Sequence, residues 1–384
     1  MGESAVPSSA APLNVLHVCA GNLFGGVERF LITLWEQRAL CPEMRPQFAV
    51  CYEGELSRRL RALGADVENI GPARFARPWT LWATRRRVKR VIAKRSVDVT
   101  VSHGCWPHAV LQAATGVRAI FMHDTVRGMH WLERRAMAVP THLALANSRF
   151  TAGQLPGGAF CGADVATVYL PSPRVTSSTA PSTRATLRSA LDTCDGAVVI
   201  IMACRWEPYK GHLILLRALA QLKKPVPWNM WIAGGPQRPQ EVAFQQSVLD
   251  EARRCGIDSR LRLLGQRSDV SSLLAAADIH CQPNLAPEPF GLTFVEALDA
   301  GLTVITTNHG GGAEILSPDF GLLTPPGDAN ALANALTRAI ESKALRDDFA
   351  SRGPARAREL CDPARQLPAL YDLLRRAHDV AHRC

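Results

Sequence analysis

The sequence contains no apolar run approaching the roughly 18 residues that a bilayer-spanning helix needs. Its opening stretch, MGESAVPSSAAPL, lacks a basic segment followed by an apolar one, so residues 1–12 are expected to be a disordered lead-in and not a secretory signal. None of the 11 cysteines stands in a CxxC pair, which argues against a zinc ribbon and a disulfide framework and makes the reducing cytoplasm the expected compartment. The tightest metal-like triplet, His103, Cys105 and His108, has no fourth ligand nearby and reads as structural. There is no GxGxxG, no Gly-Lys-Ser/Thr of a phosphate loop and no Asp-x-Asp near the loops discussed below. Composition also excludes collagen, a coiled coil, long disorder and a disulfide miniprotein.

What is present is an ordinary soluble composition, 47% hydrophobic and 20% charged, over 384 residues, long enough for two domains. Lys plus Arg exceed Asp plus Glu, 44 against 34, a net charge of +10 that favours anionic partners.

Short apolar runs alternate with amphipathic helical patterns from end to end. Strands are expected at Asn14–Cys19, Gln47–Tyr52, Val97–Ser102, Arg118–Met122 and His142–Ala146. A second series follows at Ala197–Ala203, Trp228–Ala233, Arg260–Leu264, Asp278–Cys281, Thr303–Thr306 and Gly321–Leu323. Continuous apolar strands alternating with helices predict parallel sheets covered on both faces, an α/β doubly wound architecture. Pro171–Arg184 is rich in Ser, Thr and Pro and divides the chain. The expected organisation is a Rossmann-like domain over 13–172, a linker over 173–194 and a second Rossmann-like domain over 195–357. A tail over 358–384 carries Leu367, Leu370, Leu373 and Leu374 on one helix face. Two such domains facing a central cleft would bind ligands at the carboxyl ends of their strands.

Three segments carry chemistry. Glu288-Pro-Phe-Gly-Leu-Thr-Phe-Val-Glu296 follows an expected strand and opens a helix near Gly291. Gly291 admits close backbone approach, and the first-turn amides from Phe290 to Thr293 favour an anion. Glu288 and Glu296 are acceptors suited to sugar hydroxyls and a ribose diol. Arg205 and Lys210, in RWEPYKG after the strand at 197–203, would neutralise a diphosphate and the charge that grows on it as a leaving group. Gly21-Asn-Leu-Phe-Gly25-Gly26-Val-Glu28 is a glycine-rich loop opening a helix after the first strand.

These residues resemble the retaining GT-B glycosyltransferases of the large "group 1" family four. Glu288, Phe290, Gly291 and Glu296 match its Glu-x7-Glu hallmark. Arg205, Lys210 and Gly211 match its Arg…Lys-Gly pair, and Gly25, Gly26 and Glu28 its Gly-Gly-x-Glu loop. Trp231–Pro236, Leu264-Gly265, Ala276–Asp278 and Gly310–Glu314 fit the intervening pattern. The resemblance covers nearly the whole chain and is most specific from 200 to 325. It departs at Tyr169-Leu-Pro-Ser172, where relatives carry Asn-Pro-x-Asp, and at Asp299, where small residues are common.

The resemblance implies a donor diphosphate held by Arg205 and Lys210. It implies donor-sugar hydroxyls on Glu288 with the amides of Phe290 and Gly291, phosphates on the amides of Leu292 and Thr293, and a ribose on Glu296. The base would meet the loop 265–268 near Arg267, Gly25 and Gly26 would approach the diphosphate, and His123 would be the active-site histidine. The expected reaction moves a hexose from a UDP- or GDP-sugar to a glycan or lipid-linked acceptor in cell-surface polysaccharide, lipopolysaccharide or glycolipid synthesis. It would proceed with retention and without a metal or other cofactor. A tail helix crossing back onto the first domain is expected from the same resemblance. The alternative is a non-catalytic sugar-nucleotide-binding scaffold, which would need losses in the donor set, and none is found. A nicotinamide oxidoreductase would need the missing GxGxxG, and a sugar-nucleotide 2-epimerase would need first-domain carboxylate motifs that are not found.

Arg74–Arg95 holds nine cations and no acid, with Trp79 and Trp82. It reads either as an ordinary helix with Leu81, Val88, Val91 and Ile92 in the core, or as that helix with an added role on an anionic membrane surface, peripheral on the inner face of the cytoplasmic membrane. Nucleic acid is not expected, since no recognisable module or stacking platform is present.

Overall fold

A computed structural model describes residues 11–110, 116–174, 181–193, 196–222 and 226–383. The expected lead-in lies, up to residue 10, outside the described residues, as do 175–180 and 194 of the expected linker. The chain divides into two compact units. One comprises Met1–Asn147, Gln154–Pro171 and Pro363–Cys384, the other Ser148–Gly153 and Ser172–Asp362.

The first unit holds seven strands: β1 (Leu13–Cys19), β2 (Met44–Val50), β3 (Val67–Asn69), β4 (Val99–His103), β5 (Val117–Met122), β6 (Leu143–Ala146) and β7 (Asp164–Thr167). They form one sheet in the order β3-β2-β1-β4-β5-β6-β7, and every pairing is parallel. The central strands are buried almost throughout because helices cover both faces. The helix Gly26–Glu36 buries Phe30, Leu31 and Leu34. The tail helix Pro363–Ala381 belongs to this unit, burying Leu367, Leu370 and Leu374 and packing beside β5 and the short turn Arg38–Leu40.

The second unit holds β8 (Val198–Ala203), β9 (Trp228–Ala233), β10 (Leu261–Gly265), β11 (Ile279–Gln282), β12 (Thr303–Thr307) and β13 (Leu322–Thr324). Their order is β10-β9-β8-β11-β12-β13, again all parallel. Each sheet therefore reverses its winding direction once, between β1 and β4 and between β8 and β11. At that switch point, successive loops diverge to opposite faces and leave a crevice at the carboxyl ends.

Three expectations need correction. The segment 148–153, assigned from sequence to the first domain, groups with the second unit. The expected linker 173–194 contains the helix Pro181–Ala190. That helix has no large apolar face and docks through charge. Arg184 and Arg188 reach the two oxygens of Asp278 at 2.6 and 2.7 Å, and the same carboxylate accepts from the Val199 amide at 2.7 Å. In the basic helix Pro78–Lys94, Val88, Val91 and Ile92 are buried but Leu81 is only half-buried. Nor are all its arginines in solvent. Arg85 donates to the Val110 carbonyl at 2.8 Å, Arg87 to that of Ile70 at 3.3 Å, and Arg95, just past its end, pairs with Asp66 and Glu68 at 2.7 Å.

Candidate active site

In the second unit, the loops leaving the neighbouring strands β8 and β11 converge. Lys210, in the first loop, donates to the Glu288 carboxylate in the second at 2.5 Å, and both side chains are nearly buried, 10% and 12% exposed. The Gln282 amide donates to the same carboxylate oxygen at 3.2 Å and to Asn284 at 3.0 Å. Burial pulls the Lys210 ammonium down, but the Glu288 carboxylate, with Tyr209 and Cys204, outweighs it and holds the lysine above its ordinary value. A charged pair thus stands at the switch point, tied also by the Leu285 amide donating to the Tyr209 carbonyl at 2.6 Å.

Glycine makes this approach feasible. Gly211 sits at φ +90° directly after Lys210, and a Cβ there would lie 2.0 Å from the Pro283 carbonyl oxygen. Gly291 caps the helix Leu292–Asp299 at φ +100°, where a Cβ would lie 2.3 Å from the Phe294 ring. The helix start therefore presents the first-turn amides of Leu292 and Thr293, which have no intrahelical partner and favour an anion. Phe290 is buried and anchors the turn, and Glu296, just over a turn into the helix, is 5% exposed.

The carboxylate loop is pinned from behind. The Gly311 amide donates to the Glu288 carbonyl at 2.7 Å, and Thr307 and His309 both meet the Asn284 carbonyl, at 3.0 and 3.1 Å. Ser148 and Thr151 donate to the Pro289 carbonyl at 2.5 and 3.2 Å, while Glu314 accepts from the amides of Arg149 and Phe150 at 3.2 and 3.1 Å. That is why 148–153 belongs to this unit.

Two further expected cations are held by acids that the sequence reading had not singled out. Arg205 pairs with Glu207 at 3.0 Å, and Arg267 grips Asp269 with two bonds of 2.8 and 2.6 Å. Their loops are linked: Trp206 donates to the Gly234 carbonyl at 2.7 Å, and the Gly234 amide to that of Gly265 at 2.8 Å.

In the first unit, the Gly25 amide donates to Glu28 at 2.8 Å, closing the glycine loop onto its own helix. A Cβ at Gly26 would meet nothing within 4 Å, so space adjoins that backbone. His123 follows β5, with Nε2 2.9 Å from His103 Nδ1, and His103 Nε2 lies 3.0 Å from His17 Nδ1. Burial lowers all three, His17 and His123 to about 3, so they are neutral at ordinary pH. His108, of the metal-like triplet, instead meets the Thr141 hydroxyl at 2.8 Å. The part played by His17 and His103 was missed from sequence, as were Gln282 and Asn284.

Residues 184–356 match the model of the family described as glycosyl transferases group 1. A phosphatidyl-myo-inositol mannosyltransferase of Mycolicibacterium smegmatis is 32% identical over 166 residues, 42% of this chain and 41% of that protein. A lipopolysaccharide 1,2-N-acetylglucosaminetransferase of Salmonella typhimurium is 30% identical over 164 residues, 41% of this chain and 43% of that protein. The matches thus span less than half the length of these curated relatives. Among solved structures, Anabaena Alr3699/HepE in complex with UDP and glucose superposes with a TM-score of 0.82 at 24% identity, covering 94% of this chain and 99% of that one. WaaG, a glycosyltransferase involved in lipopolysaccharide biosynthesis, gives 0.67 at 18% identity, covering 95% and 99%. Over 184–356 the second unit is thus similar to the group 1 glycosyltransferases, and the chain has the GT-B architecture of two parallel sheets.

Proposed function

We propose that this chain is a retaining, metal-independent hexosyltransferase. It moves a sugar from a UDP- or GDP-sugar to a glycan or lipid-linked acceptor in cell-surface polysaccharide or glycolipid synthesis. The observation that carries the reading is the nearly buried Lys210–Glu288 pair beside the glycine-capped helix start at Leu292. The Lys210 ammonium offers three donors, of which Glu288 takes one, and the others suit a diphosphate. Arg205 adds charge from the same loop, and the Leu292 and Thr293 amides add dipoles. Glu288, oriented by Lys210 and Gln282, faces the sugar hydroxyls, Glu296 the ribose and Arg267 the base. On the first unit, taken by itself, the loop at Gly25 and Gly26 suits a phosphate and His123 suits a sugar hydroxyl.

In the reaction, the bond from the anomeric carbon to the diphosphate oxygen breaks and its electron pair stays on the diphosphate. The acceptor oxygen bonds to that carbon on the same face, and its proton passes to the departing oxygen. The protein's contribution is positioning and stabilisation of leaving-group charge. The test is transfer from UDP- and GDP-hexoses to lipid-linked and glycan acceptors, with the product anomer read by NMR and excess chelator present. Product of unchanged configuration, formed despite chelation, is expected. Inversion, or loss of activity with chelator, would contradict the reading.

A second element of the proposal is a peripheral position on an anionic membrane. Trp79 and Trp82 on the basic helix are 67% and 64% exposed, flanked by arginines, which suits an interfacial face. No described helix is long and apolar enough to cross a membrane. Co-sedimentation with phosphatidylglycerol vesicles but not phosphatidylcholine vesicles is expected. Equal binding to both, or to neither, would remove the membrane role.

A further inference from the structure

His17 and His103 lie on β1 and β4, and His123 directly follows β5, in the strand order β1-β4-β5. The register places His17 beside Val101 and His103 beside Phe121. Each histidine therefore stands two residues further toward the carboxyl edge than its neighbour, and a step of two keeps all three on one face. Phe30 covers that face, with ring centroids 5.7 Å from His103 and 6.0 Å from His123. The outcome is a row of three imidazoles joined by two hydrogen bonds of 3.0 and 2.9 Å. At its ends, His17 Nε2 and His123 Nδ1 are shielded from solvent and have no hydrogen-bond partner among the described residues.

A neutral imidazole carries one N–H and one bare nitrogen, so the row has only two self-consistent proton arrangements. In one, every ring is protonated at Nδ1: His17 donates to His103, His103 donates to His123, and His123 Nδ1–H is left to donate. In the other, every ring is protonated at Nε2, and the unpaired N–H falls on His17. The His17 ring is wholly buried inside the sheet, whereas His123 stands partly exposed at the strand end. An N–H without an acceptor is costly to bury, and although both outer nitrogens are shielded, only the His123 ring is half-buried at the strand end, so an acceptor is more easily brought to that end than to His17.

We propose that His103, backed by His17, is a positioning residue that fixes His123 as the Nδ1–H tautomer, so that His123 meets a sugar hydroxyl as a hydrogen-bond donor. The inference rests on the reading of His123 as the sugar-facing histidine. Neutrality makes the tautomer, and not the charge, the property that matters. In the unliganded chain His123 Nδ1 is covered, and a hydroxyl reaches it by displacing that cover.

The test uses the full chain with isotope-labelled histidine and reads ring nitrogen and carbon shifts by NMR without substrate. The wild type is expected to show His123 protonated at Nδ1. His103→Leu removes the donor and should return His123 to the Nε2–H form that free side chains favour, with kcat down at least ~10-fold and donor KM little changed. His103→Asn places an amide N–H where Nδ1 stood and should restore the tautomer and bring kcat to within about 3-fold of wild type, a rescue that simple core packing would not give. A wild type protonated at Nε2 overturns the proposal even if His103→Leu fails to fold. So does a His103→Leu protein with unchanged tautomer and kcat, or a His103→Asn protein that keeps the tautomer without recovering kcat. Absence of transfer by a wild type with the ordered row contradicts the transferase reading and leaves the row's order supported.

Discussion

In the second unit, the loops leaving β8, β11 and the edge strand β10 carry opposed charges: Lys210 on Glu288, Arg205 on Glu207, Arg267 on Asp269. In the first unit, the corresponding edge carries neutral imidazoles in a row. The two sheets share one winding pattern, so strand order does not dictate this contrast. Charge suits a diphosphate, which needs compensation and gains more as a leaving group. Neutral donors suit sugar hydroxyls, which need direction and no compensation. One architecture thus supplies two kinds of ligand edge.

Acid should separate the units most strongly. Burial lowers His17, His108 and His123 of the first unit to about 3, as it does His212 and His280 of the second, and it lowers His103 in the same direction. The unfolded chain takes up these protons near the ordinary value of 6.5 and the folded chain only well below it, at about 3 for each but His103. Their stabilising contribution is therefore complete above about 6.5 and is lost as pH falls toward 3, at about 1–2 kcal/mol per histidine by pH 5. Hydrogen exchange at pH 7 and pH 5 should show β1, β4 and β5 losing protection before β8 and β11. The reverse order would break the contrast.

The next largest effect is expected from Lys210→Met, which strands the nearly buried Glu288 carboxylate and should cost about 3–5 kcal/mol in urea unfolding. Lys210→Met combined with Glu288→Leu should recover much of that loss, because the penalty belongs to the unpaired charge. A single-variant loss under about 1 kcal/mol would show that the pair is hydrated like a surface bridge. Gly291→Ala is expected to cost about 1–3 kcal/mol, since its φ of +100° and the Phe294 ring both oppose a Cβ. The same change at Gly26, where a Cβ meets open space, should be nearly silent for stability and weaken donor binding instead. The smallest stability effect belongs to Trp79→Ser with Trp82→Ser, within about 0.5 kcal/mol, while vesicle binding is lost.

The sheets' inner strands were legible because burial on both faces demands continuous apolar runs, as in Val198–Ala203. The edge strands Val67–Asn69 and Asp164–Thr167 were not, because a short edge strand is only half covered and keeps polar residues. The helix Pro181–Ala190 read as a linker because Arg184 and Arg188, and no apolar stripe, hold it in place. Of the candidate site, the glycine-capped turn and its carboxylates stood out because helix starts have local signatures. The acids that hold Arg205 and Arg267 did not: Glu207 and Asp269 look like ordinary surface acids. The histidine row was invisible for a stricter reason. Its pattern lies across three strands, two residues apart in register, and emerges only once strand order is known.

The measurement that bears most directly on the charged edge is calorimetric titration of the full chain with UDP, GDP, ADP and NAD, repeated on Arg205→Ala. Arg205 is one-third exposed and paired only with its neighbour Glu207 in the ion pairs of the described residues, so the variant should fold. One nucleoside diphosphate is expected to bind the wild type and to raise its melting temperature by mass action, with affinity at least ~10-fold lower in Arg205→Ala. Binding of NAD alone, or a nucleoside diphosphate that binds Arg205→Ala as well as wild type, would contradict the account.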